Sequence, residues 1–134
     1  MAVHWSFYIF SGRRSLNQNF LGDFEAEWFE QQISMRAMLD IQRNAEWWAS
    51  HHSRSQAAEW FYRVYDQLEA ISNAPLSYGV SAENGMFPFE VRDALVGLGK
   101  RKSYRAIFRV HDNYITVYRV VRAAEGAIEA DDLE

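Results

Sequence analysis

The apolar residues of this chain change their spacing once, close to residue 89. Between residues 35 and 72 they recur every three or four positions, which is typical of amphipathic helices. From residue 89 to residue 122 apolar and polar residues alternate, in runs separated by turn-forming residues, which is typical of strands. Because the helices and strands are segregated, we expect the helices to pack on one face of a sheet. The sequence predicts an α+β fold, with an N-terminal helical hairpin on a small, mainly antiparallel β-sheet.

Two helices are predicted, each beginning at a serine. Ser34 is a plausible N-cap for the first helix, which "HHS" ends, and Ser53 with Gln56 forms a capping box for the second, over about residues 55–72. The short link between the helices favours an antiparallel hairpin. The apolar face of the first helix comprises Met38, Ile41, Ala45 and Trp48. That of the second comprises Ala57, Phe61, Val64, Leu68 and Ile71.

Four strands are predicted around this hairpin. A short one over residues 27–34 precedes the first helix, and three follow a loop that contains both prolines. These three are "FEVRDALVG", "SYRAIFRV" and "YITVYRVV", the last two joined by a tight "HDN" turn. Strict alternation in the last strand would place Arg119 on one face with Val117 and Val121, and Arg122 on the other face with Tyr118 and Val120.

The basic residues are concentrated in the predicted hairpin. The chain has a formal net charge of -4, yet half of its 14 Lys and Arg residues lie between residues 99 and 122. A local basic patch can bind nucleic acid or an acidic protein whatever the total charge. Alternatively, these arginines keep exposed strands soluble and prevent edge pairing. The seven residues are Lys100, Arg101, Lys102, Arg105, Arg109, Arg119 and Arg122.

Composition excludes several classes of protein. The chain has no cysteine, so disulfides and cysteine-ligated metals are excluded, in keeping with a reducing cytoplasm. No apolar run approaches the roughly 20 residues of a membrane helix, and the N-terminus lacks the pattern of a signal peptide. His51 and His52 are adjacent at a helix end with no further ligands in a suitable pattern, and His111 is expected to be an exposed turn residue. We predict a cytoplasmic protein without metal, cofactor or membrane partner.

The first 26 residues differ from the rest of the chain. Loop-forming residues such as those of "SGRRSLNQNFLGDF" predominate there, without a sustained period. We interpret residues 1–26 as an N-terminal extension, either a disordered arm or the product of a start codon assigned too early. Residues 27–134 are interpreted as one domain.

The second half of the chain resembles the RelE/ParE family of bacterial type II toxins, the plasmid stabilisation toxin superfamily. The resemblance is carried by Arg92, the "GLGKR" turn, the Tyr104-Arg105 pair, the "HDN" hairpin and "VYRVVRAA". Upstream, "ISMRAMLDIQRNAEWW" and "AAEWFYRVYDQLEAISNAP" resemble the two helices of the family, and "DDL" recurs near the end of some members. The similarity covers residues 27–134.

This resemblance implies a toxin of a toxin–antitoxin system, inhibited by a cognate antitoxin from the same operon. Some members inhibit growth as mRNA interferases, endoribonucleases that cut mRNA on the ribosome without a metal, whereas others poison DNA gyrase. An inactive homologue that only binds its antitoxin is a further alternative. Whether the chain is an enzyme therefore stays open, because both activities occur on one fold.

The resemblance also suggests site residues. RNA cleavage by the 2′-OH requires a base, an acid and a cation for the transition state. Arg105 matches the family's Tyr-Arg position and is the candidate for phosphate stabilisation, with Arg92 on the preceding strand. Glu125 stands where many members have a basic residue, and Glu90 lies near Arg92; either is a candidate base. Trp47 is expected at a partner interface. Candidate nucleic-acid contacts are Lys100, Arg101, Lys102, Tyr104, Arg109, Arg119 and Arg122.

Overall fold

The computed structural model describes residues 7–10 and 28–124, which form an α+β fold with two helices on one face of a mixed sheet. Two single 3-10 turns, Pro75–Ser77 and Asn84–Met86, lie between the helices and the last three strands. No helix in these ranges has the length and apolar character needed to span a bilayer. The main elements are β1 (Phe7–Phe10), β2 (Glu30–Ser34), α1 (Met35–His51), α2 (Arg54–Ile71), β3 (Arg92–Val96), β4 (Tyr104–Val110) and β5 (Tyr114–Arg122).

The five strands of the described residues are ordered β1-β2-β5-β4-β3. Three of the strand pairs are antiparallel, whereas β2 and β5 run parallel. The prediction of a mainly antiparallel sheet with a helical hairpin is therefore confirmed in part. The hairpin is not N-terminal, because β1 and β2 precede it and β2 supplies the parallel neighbour of the last strand.

The first strand, β1, lies within the stretch that the sequence analysis interpreted as an extension. It pairs antiparallel with β2, from Phe7 opposite Ser34 to Phe10 opposite Gln31. The sequence pattern had not predicted this strand. The proposed division at residue 26 remains a prediction, and the candidate base Glu125 lies outside the described residues.

Both helices begin at the predicted serines. The Ser34 hydroxyl accepts a hydrogen bond from the Ala37 N–H at 3.0 Å, and the Ser53 hydroxyl accepts one from Gln56 at 3.0 Å. The buried face of α2 differs from the prediction at one position. Trp60 is fully buried, whereas its neighbour Phe61 is only half-buried. The Trp60 ring packs on the ring of Tyr104, with centroids 4.9 Å apart.

The main core lies between the helices and the face of the sheet that they cover, called here the helix face. It includes Ile33, Ile41, Trp60, Leu68 and Phe108, all fully buried. The opposite face is called the outer face. It carries a smaller cluster of Val91, Ile107 and Val121, against which Phe87, Phe89 and Tyr118 pack. Residues 81–91, called here the strap, supply part of that cluster and cover the outer face.

An irregularity in β5 changes which residues share a face. Ile107 pairs with Arg119 and Phe108 pairs with Val117, so that Tyr118 is an extra residue in β5. Such a bulge interrupts the alternation of side chains. Val117 and Val120 consequently both pack in the main core, while Tyr118 packs on the outer face. The prediction that paired Tyr118 with Val120, and Val117 with Val121, was wrong for this reason.

The start of α1 completes the hydrogen bonding of β5. The parallel pairing of β2 with β5 ends at Ile33 and Val117, where the chain turns into the helix. Beyond that point the Ser34 hydroxyl donates to the Tyr118 carbonyl at 3.0 Å, and the Asp40 carboxylate accepts from the Val120 N–H at 3.0 Å. Two side chains thus replace the missing strand partner.

The outer edge of β3 is also covered. The Asp93 N–H donates to the Gly79 carbonyl at 3.1 Å. At the other end, the Gln67 amide accepts from the Gly97 N–H at 2.7 Å and donates to the Gly97 carbonyl at 3.1 Å. These contacts shorten the stretch of edge open to another chain, which protects against edge-to-edge association.

Candidate functional site

Arg105, the candidate for phosphate stabilisation, lies on the outer face beneath the strap. Only 8% of the residue is exposed. Its Nη1 donates to Glu83 Oε1 and Asp93 Oδ2, each at 2.9 Å, and its Nη2 donates to Glu83 Oε2 at 2.9 Å. The guanidinium is therefore bound in a bidentate manner by Glu83 and held from the side by Asp93.

The ion pair favours the charged forms of Glu83 and Arg105. The hydrogen bond from Arg105 is the main reason that the pKa of Glu83 is lowered from its usual 4.5, with burial acting in the opposite direction. The bond to Glu83 is also the main reason that the pKa of Arg105 is raised. Arg105 Nε and Asp93 Oδ1 are buried without a hydrogen-bond partner among the described atoms. The site is thus a charged cluster whose hydrogen bonding is incomplete.

The strap is anchored at both of its ends. The Ser81 N–H donates to the Val91 carbonyl at 2.8 Å, and the Val91 N–H donates to the Asn84 side chain at 2.8 Å. The Ser81 hydroxyl donates to Glu83 Oε1 at 2.9 Å, which orients the carboxylate toward Arg105. Glu83 reaches the site only because the strap folds back over the sheet.

Glu83 and Asp93 are site residues that the sequence analysis missed. The sequence could have indicated the position of Asp93, because alternation along the strand places it on the face opposite to Arg92. In the structure Asp93 pairs with Ile107 on the outer face. Glu83 lies in a Gly- and Pro-containing loop, "SAENGMFPF", where no periodicity indicates direction. Its position depends on a tertiary contact across 22 residues.

Arg92 is not brought to this cluster. It belongs to the side of β3 that carries the core residues Ala94 and Val96, opposite to Arg105. Its Nε and Nη2 donate to Glu90 Oε1 at 3.1 and 2.9 Å, and its Nη1 donates to the carbonyl of Tyr78. Arg92 therefore secures the chain before β3, and a catalytic role shared with Arg105 stays a prediction.

The other arginines of the hairpin are engaged in different ways. Arg119 donates from Nε and Nη2 to Asp40 at 2.7 and 3.1 Å. The guanidinium of Arg109 lies 4.2 Å from the centroid of the Phe89 ring. By contrast, the turn between β3 and β4 exposes Lys100, Arg101 and Lys102. Of the predicted nucleic-acid contacts on the hairpin, these three are the most accessible to a polyanion.

Arg122 and Tyr104 contribute to a cleft on the helix face. The cleft has a volume of about 280 Å³ and is bounded by the end of α1, the start of β4 and the end of β5. Arg122 lies 4.6 Å from the centroid of the Trp47 ring. Tyr104 is buried, and its hydroxyl accepts a hydrogen bond from Trp48 Nε1 at 3.2 Å. Trp47, expected at a partner interface, is half-buried.

The histidines do not form a metal site with other side chains of the described ranges. Within residues 7–10 and 28–124, no three His, Asp or Glu side chains are placed to hold a metal ion together. The pKa of His111 is lowered, mainly by burial and then by Arg109. Its Nε2 lies 3.0 Å from the Thr116 hydroxyl. His111 is thus half-buried rather than fully exposed in its turn.

Comparison with known proteins identifies the fold. No family model and no curated protein sequence matches the chain. Among solved structures, it is similar to a chain of the chromosomal ParDE TA system from P. aeruginosa, with 17% sequence identity and a TM-score of 0.56. The match covers 69% of this chain and 91% of the other. The two proteins therefore share a fold, that of a protein from a toxin–antitoxin system.

Proposed function

We propose that this chain is the toxin of a type II toxin–antitoxin pair, with a cognate antitoxin as its protein partner. The observation that carries the proposal is the structural likeness to a ParDE chain, which extends over 91% of that chain. The resemblance of the sequence of residues 27–134 to RelE/ParE toxins supports the same assignment.

For the activity, we propose mRNA cleavage at the Arg105 cluster. Attack by a 2′-OH forms a P–O2′ bond and breaks the P–O5′ bond. It requires a proton acceptor for the 2′-OH, a proton donor for the leaving 5′-oxygen, which solvent can supply, and a cation that stabilises the phosphorus-centred transition state. Glu83 supplies a carboxylate, and Arg105 supplies a guanidinium 2.9 Å from it. Because the pKa of Arg105 is raised, it remains charged and serves as the cation rather than as a base. A substrate phosphate would have to displace at least one carboxylate from Arg105.

The alternative is a toxin that acts by binding a protein, such as a gyrase poison, or an inactive homologue that only binds its antitoxin. The observation that favours this alternative is the same cluster. Both terminal nitrogens of Arg105 are already bonded to carboxylates, and the strap covers the site. In this state the guanidinium of Arg105 forms structural ion pairs with Glu83 and Asp93, and it can bind a phosphate only after a substrate displaces one of them.

The experiment is a map of mRNA 5′ ends after brief induction of the full chain in a bacterial host. Arg105→Lys retains the charge but loses the bidentate geometry, and Arg101→Lys at the exposed turn is the matched control. Circular dichroism of each purified variant verifies folding. We expect growth arrest and new ends inside coding regions, which Arg105→Lys reduces and Arg101→Lys does not.

Other outcomes separate the alternatives. Growth arrest without new ends would remove the nuclease proposal and point to a protein target such as gyrase. Normal growth would indicate an inactive homologue. If induction of the full chain is harmless and no adjacent gene product binds it, the toxin assignment itself is lost.

A further inference from the structure

The cleft beside Trp47, called here the Trp47 cleft, is separate from the Arg105 cluster. Arg105 lies on the outer face of the sheet under the strap, whereas the cleft opens on the helix face. Its walls are Trp47, Trp48 and His52 from the end of α1, and Tyr104 and Arg122 from the sheet. With about 280 Å³ of volume, it can take one or two amino-acid side chains. The proposed nuclease site does not include any residue of the Trp47 cleft.

Arg122 packs on an aromatic ring at this cleft. Its guanidinium lies 4.6 Å from the centroid of Trp47, and the His51 ring stacks on Trp47 at 4.4 Å with an interplanar angle of 14°. The contact with Trp47 restrains the arginine through a cation–π interaction. No described residue accepts a hydrogen bond from its N–H groups, which can bind an acceptor in the guanidinium plane.

The charge at the cleft has no counterpart among the described residues. Arg122 forms no ion pair with a described carboxylate, unlike Arg92, Arg105 and Arg119. The Tyr104 hydroxyl accepts from Trp48, so its own proton is available to donate. Ser103, also in the wall, adds a second hydroxyl. These donors suit an anionic group with apolar neighbours.

The aromatic rings indicate which kind of anion. The Trp47 ring already contacts Arg122 and the His51 ring, and His52 packs on Trp48 with ring centroids 4.5 Å apart. These contacts leave less ring face on which a nucleobase could stack. Among the described residues, Arg122 is the one Lys or Arg that lines the cleft, whereas nucleic acid is bound through several phosphates. Trp, Tyr and Arg are the residues that dominate protein–protein hot spots.

We propose that the Trp47 cleft is a docking site for an acidic side chain of a protein partner. The partner's carboxylate binds Arg122, with Tyr104 and Ser103 as further donors. Apolar residues next to that carboxylate pack against the two tryptophans. This proposal does not depend on the toxin assignment or on RNA cleavage at Arg105.

The test is an NMR titration of the full chain, observing the indole N–H signals of Trp47 and Trp48. The probe is the blocked tripeptide acetyl-Leu-Asp-Leu-amide, and its Asn analogue is the matched control peptide. We expect saturable shifts with the Asp peptide and binding weaker by roughly tenfold with the Asn peptide, because charge-assisted hydrogen bonds are about twice as strong as neutral ones. Arg122→Gln should abolish the difference between the peptides, while Arg101→Gln should preserve it.

Controls keep the result interpretable. Arg122→Lys retains the charge but lacks the planar guanidinium group, so it should weaken binding of the Asp peptide less than Arg122→Gln does. A dinucleotide, UpU, tests the competing ligand class. Tighter binding of UpU than of the Asp peptide would overturn the proposal, as would the absence of any shift with the Asp peptide or an equal response to both peptides.

Discussion

At the scale of single residues, Arg105 combines a structural contact with a candidate chemical one. Its three hydrogen bonds to Glu83 and Asp93 span 22 and 12 residues of sequence, so they tie the strap and β3 to β4. Removing one member of a buried ion pair leaves the other charge without compensation, and this penalty can exceed the net value of the intact pair. The stability of the strap should therefore depend on Glu83.

Glu83→Gln tests this contribution. The neutral amide retains the shape of the side chain but loses the charge opposite Arg105, while Asp93 continues to compensate in part. We expect the free energy of unfolding to fall by about 1 to 3 kcal/mol in urea titrations. The matched control is Glu90→Gln, whose partner is Arg92 but whose side chain is 53% exposed. That change should cost less than about 1 kcal/mol, and an equal cost for both variants would contradict the argument.

The same ion pair predicts a dependence on pH. The pKa of Glu83 is lower in the folded chain than its usual 4.5, because Arg105 stabilises the carboxylate. The pair therefore contributes its full stability above pH 4.5 and loses it as the pH falls from there through the folded pKa. Urea unfolding at pH 7 and at several pH values below 4.5 should show a smaller acid-induced loss for Glu83→Gln than for the unmodified chain. Parallel curves for the two proteins would show that Glu83 is not the group responsible.

Arg105 could be predicted from the sequence and Glu83 could not, because one stands in a regular strand and the other in an irregular loop. Arg105 stands in a regular strand after Tyr104, where both the alternation and the family resemblance identify it. Glu83 stands in an irregular segment, and its direction is determined by hydrogen bonds of the strap. Arg92 and Arg105 seemed related because both are basic residues on adjacent strands. Their opposite faces follow from the register of β3 with β4, which the sequence did not supply.

At the scale of elements, the start of α1 performs two tasks. Ser34 caps the helix and also donates to the Tyr118 carbonyl of β5. Ser53 caps α2 through an exposed hydrogen bond from the Gln56 N–H. The two serines thus form a natural comparison of a helix cap with and without a contact to the sheet.

Ser34→Ala and Ser53→Ala should differ in their cost. Loss of a serine cap typically costs about 1 kcal/mol. Ser34→Ala should lower the free energy of unfolding by roughly 2 kcal/mol, because it also removes the hydroxyl that donates to the Tyr118 carbonyl. Thermal or urea unfolding of both variants measures the difference directly. If the two substitutions cost the same, the contact between α1 and β5 contributes nothing to stability.

Asp40 provides the second link between α1 and β5. It is 5% exposed and accepts hydrogen bonds from Arg119 and from the Val120 N–H. Asp40→Asn removes the charge opposite Arg119, so we expect a loss of about 2 to 4 kcal/mol and faster hydrogen exchange at Val120. Asp66→Asn, on the exposed side of α2, should change stability by less than about 0.5 kcal/mol. A loss below about 1 kcal/mol for Asp40→Asn would rule out this role.

The helices and strands were predicted better than the pairing of the strands and the faces of their side chains. Capping serines and apolar periodicity located α1 and α2 because these signals are local. The bulge at Tyr118 and the parallel pairing of β2 with β5 are tertiary features, so alternation alone assigned Val120 and Val121 to faces with the wrong neighbours. Trp60 rather than Phe61 fills the core, since either position continues a helical stripe and only packing against Tyr104 distinguishes them.

At the scale of the whole molecule, the charge distribution predicts how the chain responds to salt. The turn of Lys100, Arg101 and Lys102 is exposed, whereas several arginines of the hairpin are bound within the protein. If the chain binds single-stranded RNA, replacing these three residues by Gln should reduce the dependence of log K on log salt by about 2, at roughly 0.7 for each phosphate contact. Fluorescence anisotropy with a labelled RNA at several salt concentrations measures this slope. Replacing the exposed Arg43, Arg54 and Arg63 by Gln is the charge-matched control, and an equal change there would exclude the turn as the contact.

The central place of β5 has a consequence for synthesis on the ribosome. This strand lies between β2 and β4 and pairs Tyr114 with Glu30, so the sheet cannot be completed from the residues that precede it. Contacts of such long sequence separation form late in folding. During translation, the helices and the first strands emerge without the strand that joins them. A nascent chain interrupted before β5 would lack the complete sheet, and with it the Arg122 wall of the Trp47 cleft. For a chain that inhibits growth, activity would thus be postponed until β5 has been synthesised and released from the ribosome.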